Sequence, residues 1–233
     1  MPSPTYWLVM PAAGAGERMG ASGAESPKQY RMLAGRTVIE HALAPFLADP
    51  RCAGLVVALR AGDTTFGALA IAADPRLRTV TGGATRALSV AAGVRTVAAA
   101  VGSSDPWVLV HDAARPCLPK ADLETLLASL PDSPDGAVLG VRLADTLKRS
   151  DATGRVVATL PREGLWRAAT PQAFRLRRLL AALASAPSAT DEASAVEALG
   201  DRPQLIAGSP LNVKLTTPED LAFAALILAG GRP

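Results

Sequence analysis

Cysteine is nearly absent. Cys52 and Cys117 are the two in 233 residues, and they make neither a C-x-x-C pair nor a disulfide framework. A stapled scaffold is thereby excluded, and a reduced, cytoplasmic setting is expected. A chain of this length buries roughly 70–75% of its unfolded surface and needs no such staple. Aromatic residues supply 4% of the chain, and 24 basic against 21 acidic residues leave a formal charge of +3. A nucleic-acid face gathers basic residues beside aromatics, so that class of partner is excluded. Long apolar runs are missing too. The longest, near Leu221–Leu228, falls far short of the ~20 residues a span needs. No basic region and apolar core mark the N-terminus, so no export signal or membrane segment is expected. Two histidines, His41 and His111, do not make a transition-metal site. What the sequence does hold is single arginines and lysines at loop positions, a pattern suited to small anionic ligands.

Those loops punctuate an alternation of apolar strand-like runs with Ala- and Leu-rich helical stretches. Tyr6–Met10, Leu55–Leu59, Leu77–Thr81, Trp107–His111 and Ala137–Val141 read as strands. Thr37-Val38-Ile39-Glu40 is a capping box opening a helix that Pro45 should end at about Ala44. Thr85–Val101 and Asp122–Leu130 read as further helices, and Thr217-Pro218-Glu219-Asp220 opens the last one. The alternation predicts an α/β fold with a mainly parallel sheet and helices on both faces. It breaks between about Val141 and Thr170, where Asp145–Lys148 and Val156–Leu160 read as a hairpin around Asp151-Ala152-Thr153-Gly154. A lone hairpin is marginal in water, so it either projects and is covered by a second subunit or folds back on its own sheet.

In parallel α/β sheets, ligands bind beyond the carboxyl ends of the strands. The first such loop, Pro11-Ala12-Ala13-Gly14-Ala15-Gly16-Glu17-Arg18-Met19, has two glycines that let backbone amides approach a phosphate. It is not a dinucleotide fingerprint, because Met19 takes the place of the third glycine and Arg60, not an acid, ends the second strand. It is not a P-loop, because no Gly-Lys-Ser/Thr follows. Arg18 and, after a small polar stretch, Lys28 follow instead. One cation about 4 Å from a phosphate charge contributes ~4 kcal/mol at an effective dielectric near 20, against ~1 kcal/mol for a backbone hydrogen bond. The loop is a nucleotide cradle or a solvated loop with ordinary surface cations.

Gly82-Gly83 after the third strand fits close contact with a base or ribose, with Arg86 and Ser89 on one helix face, or is a plain strand-to-helix turn. Asp112, after Trp107–His111, is placed as a Mg²⁺-binding carboxylate. Arg115, three residues on, is placed to contact a phosphate or to balance Asp112 in a structural ion pair.

With these loops in order, the chain resembles the 2-C-methyl-D-erythritol 4-phosphate cytidylyltransferase family. The matching pieces are P-A-A-G-x-G-x-R-M at Pro11–Met19, P-K-Q-Y at Pro27–Tyr30, T-V-I-E-H at Thr37–His41 and G-G-x-x-R-x-x-S-V at Gly82–Val90. They continue with V-H-D-A-A-R-P at Val110–Pro116, D-T-L-K at Asp145–Lys148, and R-x-G-L-W-x-A-x-T-P-Q from Arg162 to Gln172. T-D-E-A-S-A at Thr190–Ala195 and N-V-K-x-T-x-P-E-D-L at Asn212–Leu221 complete the order. The resemblance implies a Rossmann-like nucleotidyltransferase fold and one cytidylyltransferase domain over 1–233. It implies a homodimer with a hairpin dimerisation arm at about 141–168, a divalent cation, and a place in non-mevalonate isoprenoid biosynthesis. By position, Arg18 and Lys28 resemble the transition-state stabilisers, and Arg162 and Lys214 the pair that holds the acceptor phosphate. Thr146, Asp112, Arg115, Thr170 and Thr190 resemble further acceptor contacts. Ala12, Ala13, Gly14, Ala15 and Gly16 with Gly83, Arg86 and Ser89 resemble the CTP site. Two features depart from the pattern: a longer stretch at Gly20–Ser26, and Ala84 where an acid often follows the glycine pair.

The reaction so implied is attack of an acceptor phosphate oxygen on the α-phosphorus of CTP. A phosphate monoester, with a second pKa of about 6, is already a competent nucleophile near neutrality, so no general base is needed. Alignment and charge stabilisation do the rest. The nearest alternative is a ribitol 5-phosphate cytidylyltransferase. A nicotinamide oxidoreductase is disfavoured by Met19 and Arg60, and a nucleotide sensor would bind CTP without releasing pyrophosphate.

Overall fold

The computed structural model describes residues 4–14 and 27–230. The first strand, β1 (Tyr6–Ala12), is buried on both faces, as a central strand of a parallel sheet must be. It pairs in parallel with β4 (Cys52–Leu59) on one side and β6 (Trp107–Val110) on the other. The sheet grows outward from this centre to seven strands in the order β11-β7-β10-β6-β1-β4-β5. Its remaining members are β5 (Leu77–Thr81), β7 (Ala137–Arg142), β10 (Trp166–Arg175) and β11 (Gln204–Ala207). Only β10 runs antiparallel, against both β6 and β7.

The period of two along β1 divides the core. Leu8 and Met10 face one layer with Ile39, Leu43, Phe46, Leu123 and Leu127, contributed by α1 (Val38–Leu47) and α3 (Lys120–Ser129). Val9 faces the other, with Val90, Val94, Leu179 and Val196 from α2 (Arg86–Val101), α4 (Leu176–Ser185) and α5 (Glu192–Glu197). The last helix, α6 (Pro218–Ala229), seats Ala224 with Leu33 and Leu215 beside the short strands β2 (Met32–Leu33) and β3 (Arg36–Thr37).

The helix signals act as read, with differences at the ends. Glu40 accepts the Thr37 amide at 2.8 Å, closing the capping box of α1, but the helix continues through Pro45 to Leu47. The proline loses one bond to the preceding turn, yet fully buried Phe46 holds the last turn in place. Its ring packs 6.5 Å from Tyr6 and 5.2 Å from His111. His41 is structural, its Nε2 lying 2.7 Å from the Leu33 carbonyl. Thr85 is the cap of α2 and not its first residue, accepting the Leu88 amide at 3.2 Å.

The segment that breaks the alternation is a projecting arm. Strands β8 (Leu147–Ser150) and β9 (Val156–Leu160) pair only with each other, and Val156 and Val157 are more than half exposed. The first arm strand begins two residues later than Asp145. At the arm's root Trp166 pairs with Arg142, whose guanidinium lies 4.3 Å over the indole ring. A hairpin returns the chain in the opposite direction, which is why β10 re-enters the sheet antiparallel.

Candidate active site

A crevice of about 840 Å³ opens at the carboxyl ends of β1, β4, β5 and β6. Its floor is built by close backbone approach. The Gly82 amide donates to the Leu59 carbonyl at 2.7 Å. A Cβ at Gly82 would lie 2.7 Å from the Ala13 methyl and 2.8 Å from the Ser89 hydroxyl, so only glycine lets the first and third loops touch. Ser89 is buried, and its hydroxyl accepts the Gly83 amide at 3.2 Å while donating to the Thr85 carbonyl at 2.9 Å. It therefore shapes the turn from beneath. On the opposite wall, buried Gln29 donates to the Ala12 carbonyl at 3.0 Å, and Tyr30 donates to Asp63 at 2.6 Å. These two ties fix the short turn Lys28–Tyr30 that delivers Lys28 to the crevice.

Asp112 lines the same crevice. Its Oδ1 accepts Arg86 Nε at 2.9 Å, its Oδ2 lies 2.8 Å from Lys214 Nζ, and Arg115 Nε is 3.9 Å away. Burial alone would push this carboxyl up, but the charges of Arg86 and Lys214 hold it well below the usual carboxylate range. Arg86 is also gripped by fully buried Glu192, at 2.6 and 3.0 Å to its two terminal nitrogens. Burial works against the guanidinium's charge, but Glu192 and then Asp112 raise it above its ordinary value.

Beneath Asp112 lies a second polar layer. Its amide donates to Thr170 Oγ1 at 3.0 Å, and Thr170 Oγ1 is 3.1 Å from His111 Nδ1. The other ring nitrogen, Nε2, is 3.1 Å from the Arg115 carbonyl. A carbonyl only accepts, so Nε2 carries the proton and Nδ1 takes the Thr170 hydroxyl. Burial lowers His111 to about 4, which keeps the ring neutral and makes it a brace for the loop. Arg115 donates to the Asn212 carbonyl at 2.7 Å, and Asn212 donates to the Thr170 carbonyl at 2.7 Å, tying the segment that carries Lys214 to the same loop.

The structure therefore gathers Ala12, Ala13, Gly14, Lys28, Gly83, Arg86, Ser89, Asp112 and Lys214 around one crevice. Ala15, Gly16 and Arg18 lie outside the described residues. Arg115 and Thr170 lie behind Asp112 and not on the crevice wall. Thr190 is exposed just before α5, its hydroxyl 3.4 Å from that of Ser194. Thr146 and Arg162 are exposed on the arm, where Arg162 donates to the Ala144 carbonyl. Sequence reasoning missed Gln29, Asn212 and Glu192. Glu192 stood inside the Thr190–Ala195 motif, and the acid following the cap residue Asp191 was its only signal.

Asp112 is the sole carboxylate lining the crevice among the described residues, and no three His, Cys, Asp or Glu side chains there cluster as a metal cage. Both of its oxygens already meet a cation. Asp112 as a metal ligand is therefore a proposal in which the metal would share these oxygens with Arg86 and Lys214. The donor set suits a divalent cation held chiefly by ligand phosphates and water.

Glycine turns and convergent cations at the carboxyl ends of parallel strands define a class: an α/β protein with a crevice for a phosphate-bearing ligand. The comparisons with known proteins narrow it. The family model described as 2-C-methyl-D-erythritol 4-phosphate cytidylyltransferase matches residues 6–230, and the chain belongs to that family. It is similar to the enzyme of that name from Pseudomonas fluorescens, 49% identical over 233 residues that cover 98% of each chain. It also resembles a crystal structure of 4-diphosphocytidyl-2C-methyl-D-erythritol synthase, with a TM-score of 0.83, 38% identity, and coverage of 97% of this chain and 99% of the other. The Francisella tularensis 2-C-methyl-D-erythritol 4-phosphate cytidylyltransferase structure matches with a TM-score of 0.80 at 32% identity, covering 95% and 99%.

Proposed function

We propose that this chain transfers the cytidylyl group of CTP to 2-C-methyl-D-erythritol 4-phosphate, releasing pyrophosphate and forming 4-diphosphocytidyl-2-C-methyl-D-erythritol. The observation that carries the reading is the family match over residues 6–230. The crevice that sets the Gly82-Gly83 turn beside Lys28, Arg86 and Lys214 agrees with it. In the reaction an acceptor phosphate oxygen forms a bond to the α-phosphorus, and the bond from that phosphorus to the bridging oxygen of the leaving pyrophosphate breaks. The acceptor phosphate is dianionic near pH 7, so the step takes up no proton from the protein.

In this proposal the backbone around Ala12, Ala13 and Gly14, continued by Ala15 and Gly16, cradles the triphosphate, and Gly83, Arg86 and Ser89 bound the nucleoside. Lys28 and Arg18 stabilise charge gathering on the phosphates as the leaving group departs. Lys214, Asp112 and Arg115 order the acceptor on the other side, with Thr170 and Thr190 as neighbours. A divalent cation, when bound, would neutralise part of the triphosphate charge, and Asp112 is the crevice residue that would hold it.

A homodimer belongs to the proposal. The exposed apolar residues Val156, Val157 and Leu160 on the arm support a covering partner, whose site Thr146 and Arg162 would then complete. No helix among the described residues is long and apolar enough to cross a membrane, and a cytoplasmic setting goes with the proposed substrates. The test is pyrophosphate release over a grid of the four nucleoside triphosphates against methylerythritol phosphate and ribitol 5-phosphate. Turnover confined to CTP with methylerythritol phosphate is expected. Preference for ribitol phosphate, or equal turnover with a purine nucleotide, would overturn the reading.

A further inference from the structure

Four ionic side chains form a single file across the crevice. Glu192 holds both terminal nitrogens of Arg86 at 2.6 and 3.0 Å, Arg86 Nε holds Asp112 Oδ1 at 2.9 Å, and Asp112 Oδ2 holds Lys214 at 2.8 Å. The file runs from α5 through the first residue of α2 and the loop after β6 to the segment before α6. Arg86 and Lys214 both line the crevice, the first on the side proposed for the nucleotide and the second on the side proposed for the acceptor. Glu192 does not line the crevice and is 1% exposed, so a ligand does not reach it. A buried carboxylate is retained at a cost in desolvation, which a merely space-filling position would not carry.

The orientation of Arg86 shows what Glu192 does. A guanidinium offers five donors in a fixed planar fork, and here Glu192 spans the two terminal nitrogens. With the fork turned toward Glu192, Arg86 meets Asp112 through Nε and one oxygen. The other oxygen stays with Lys214. Glu192 is itself held firmly. Asp191 caps α5 by accepting the Ser194 amide at 2.9 Å, and Gln172 on β10 bridges to Asp191 Oδ2 and to the Ala193 amide, both at 2.9 Å.

We propose that Glu192 is a positioning residue that sets how Asp112 is shared between Arg86 and Lys214, and thereby where Lys214 stands for the acceptor phosphate. Without the Glu192 charge, Arg86 turns its fork toward Asp112, which gives up Lys214. The inference rests on the proposed cytidylyl transfer for its kinetic readout but not for its structural one.

The experiment therefore has two arms. In the resting protein, the ¹⁵N ammonium resonance of Lys214, assigned by its loss in Lys214→Ala, should shift toward that of a free lysine in Glu192→Gln. In steady state, Glu192→Gln should raise the acceptor KM about tenfold, and that increase should vanish in the Lys214→Ala background because the two act in series. Should Glu192→Gln not accumulate folded, Glu192→Asp is read the same way, since it keeps the buried charge but shortens the reach by one methylene. An unmoved Lys214 resonance overturns the inference, as does a loss confined to kcat per total protein with KM unchanged. A shifted resonance in a protein that turns over neither acceptor would sustain the inference and sink the proposed reaction.

Discussion

Replacing Asp112 by asparagine removes one charge from a point where three cations converge, and the structure bounds what that costs. Each direct contact, at 2.8 to 2.9 Å, has a gross Coulomb energy of about 6 kcal/mol at an effective dielectric of 20. Most of that is offset by desolvation, and the two contacts weigh differently. Lys214 is 40% exposed, so its share is discounted to at most ~1 kcal/mol. Arg86 keeps Glu192 as counter-ion, so its share falls below the ~3–5 kcal/mol typical of a buried cation stripped of its only partner. The expected loss is about 2 kcal/mol, a fall in Tm of roughly 4–8 °C for a chain of this size. Calorimetry at pH 7 measures it.

The sign with pH is fixed by the direction of the shift. The Asp112 carboxyl is held below its ordinary value in the folded state. Its contribution is therefore complete above about pH 4, the unfolded value, and is lost as pH falls further toward the folded one. The gap in stability between the parent protein and Asp112→Asn should be constant from pH 7 to 5 and narrow below about 4. Equal stability at pH 7, or a gap that widens in acid, would refute this account of the cluster.

Lys28→Ala should lower kcat by about 10²–10³ with Tm nearly unchanged, since it removes a preorganised charge from a turn held by Gln29 and Tyr30; a normal kcat would remove Lys28 from the charge-stabilising role. Gly82→Ala should raise the KM for CTP about tenfold, because the new methyl meets Ala13 and Ser89 below 3 Å and one loop must retreat; an unchanged KM would show that the nucleotide does not use this turn. Co-expressing Lys28→Ala with Arg162→Ala should restore roughly a quarter of the sites, since a mixed twofold dimer with a crossed arm holds one intact site; mixed dimers without recovery would mean that Arg162 serves its own subunit.

How much of this was readable without coordinates depended on distance along the chain. The Gly82–Ser89 turn was legible because its chemistry is local: the glycines, the Thr85 cap and Ser89 bond one another within a few residues. The Glu192–Arg86 pair spans 106 positions, and no local pattern marks a buried acid whose partner lies that far away. Strand β10 was hidden for another reason. Pro171 interrupts its apolar run, and a proline within a run argues against a strand. Its pairing with β7 does lapse between Ala168 and Gln172 before resuming.

That interruption falls where β10 does most for the site. Its outer end, Trp166, roots the arm on Arg142. Thr170 supports the Asp112 amide, and Gln172 anchors the helix that carries Glu192. Trp166, Thr170 and Gln172 put all three functions within about 20 Å along one strand, at roughly 3.3 Å per residue. The strand that roots the arm therefore also supports the Asp112 loop and the helix that carries Glu192. Thr170 is where this strand reaches the Asp112 loop. Thr170→Val keeps the strand's shape but removes the hydroxyl between Asp112 and His111. The arm and its association should be unaffected by ultracentrifugation, while acceptor KM rises severalfold as the Asp112 loop loses its support. A wild-type KM in that variant would show that the loop is held by the ion pairs above it and not by the strand below.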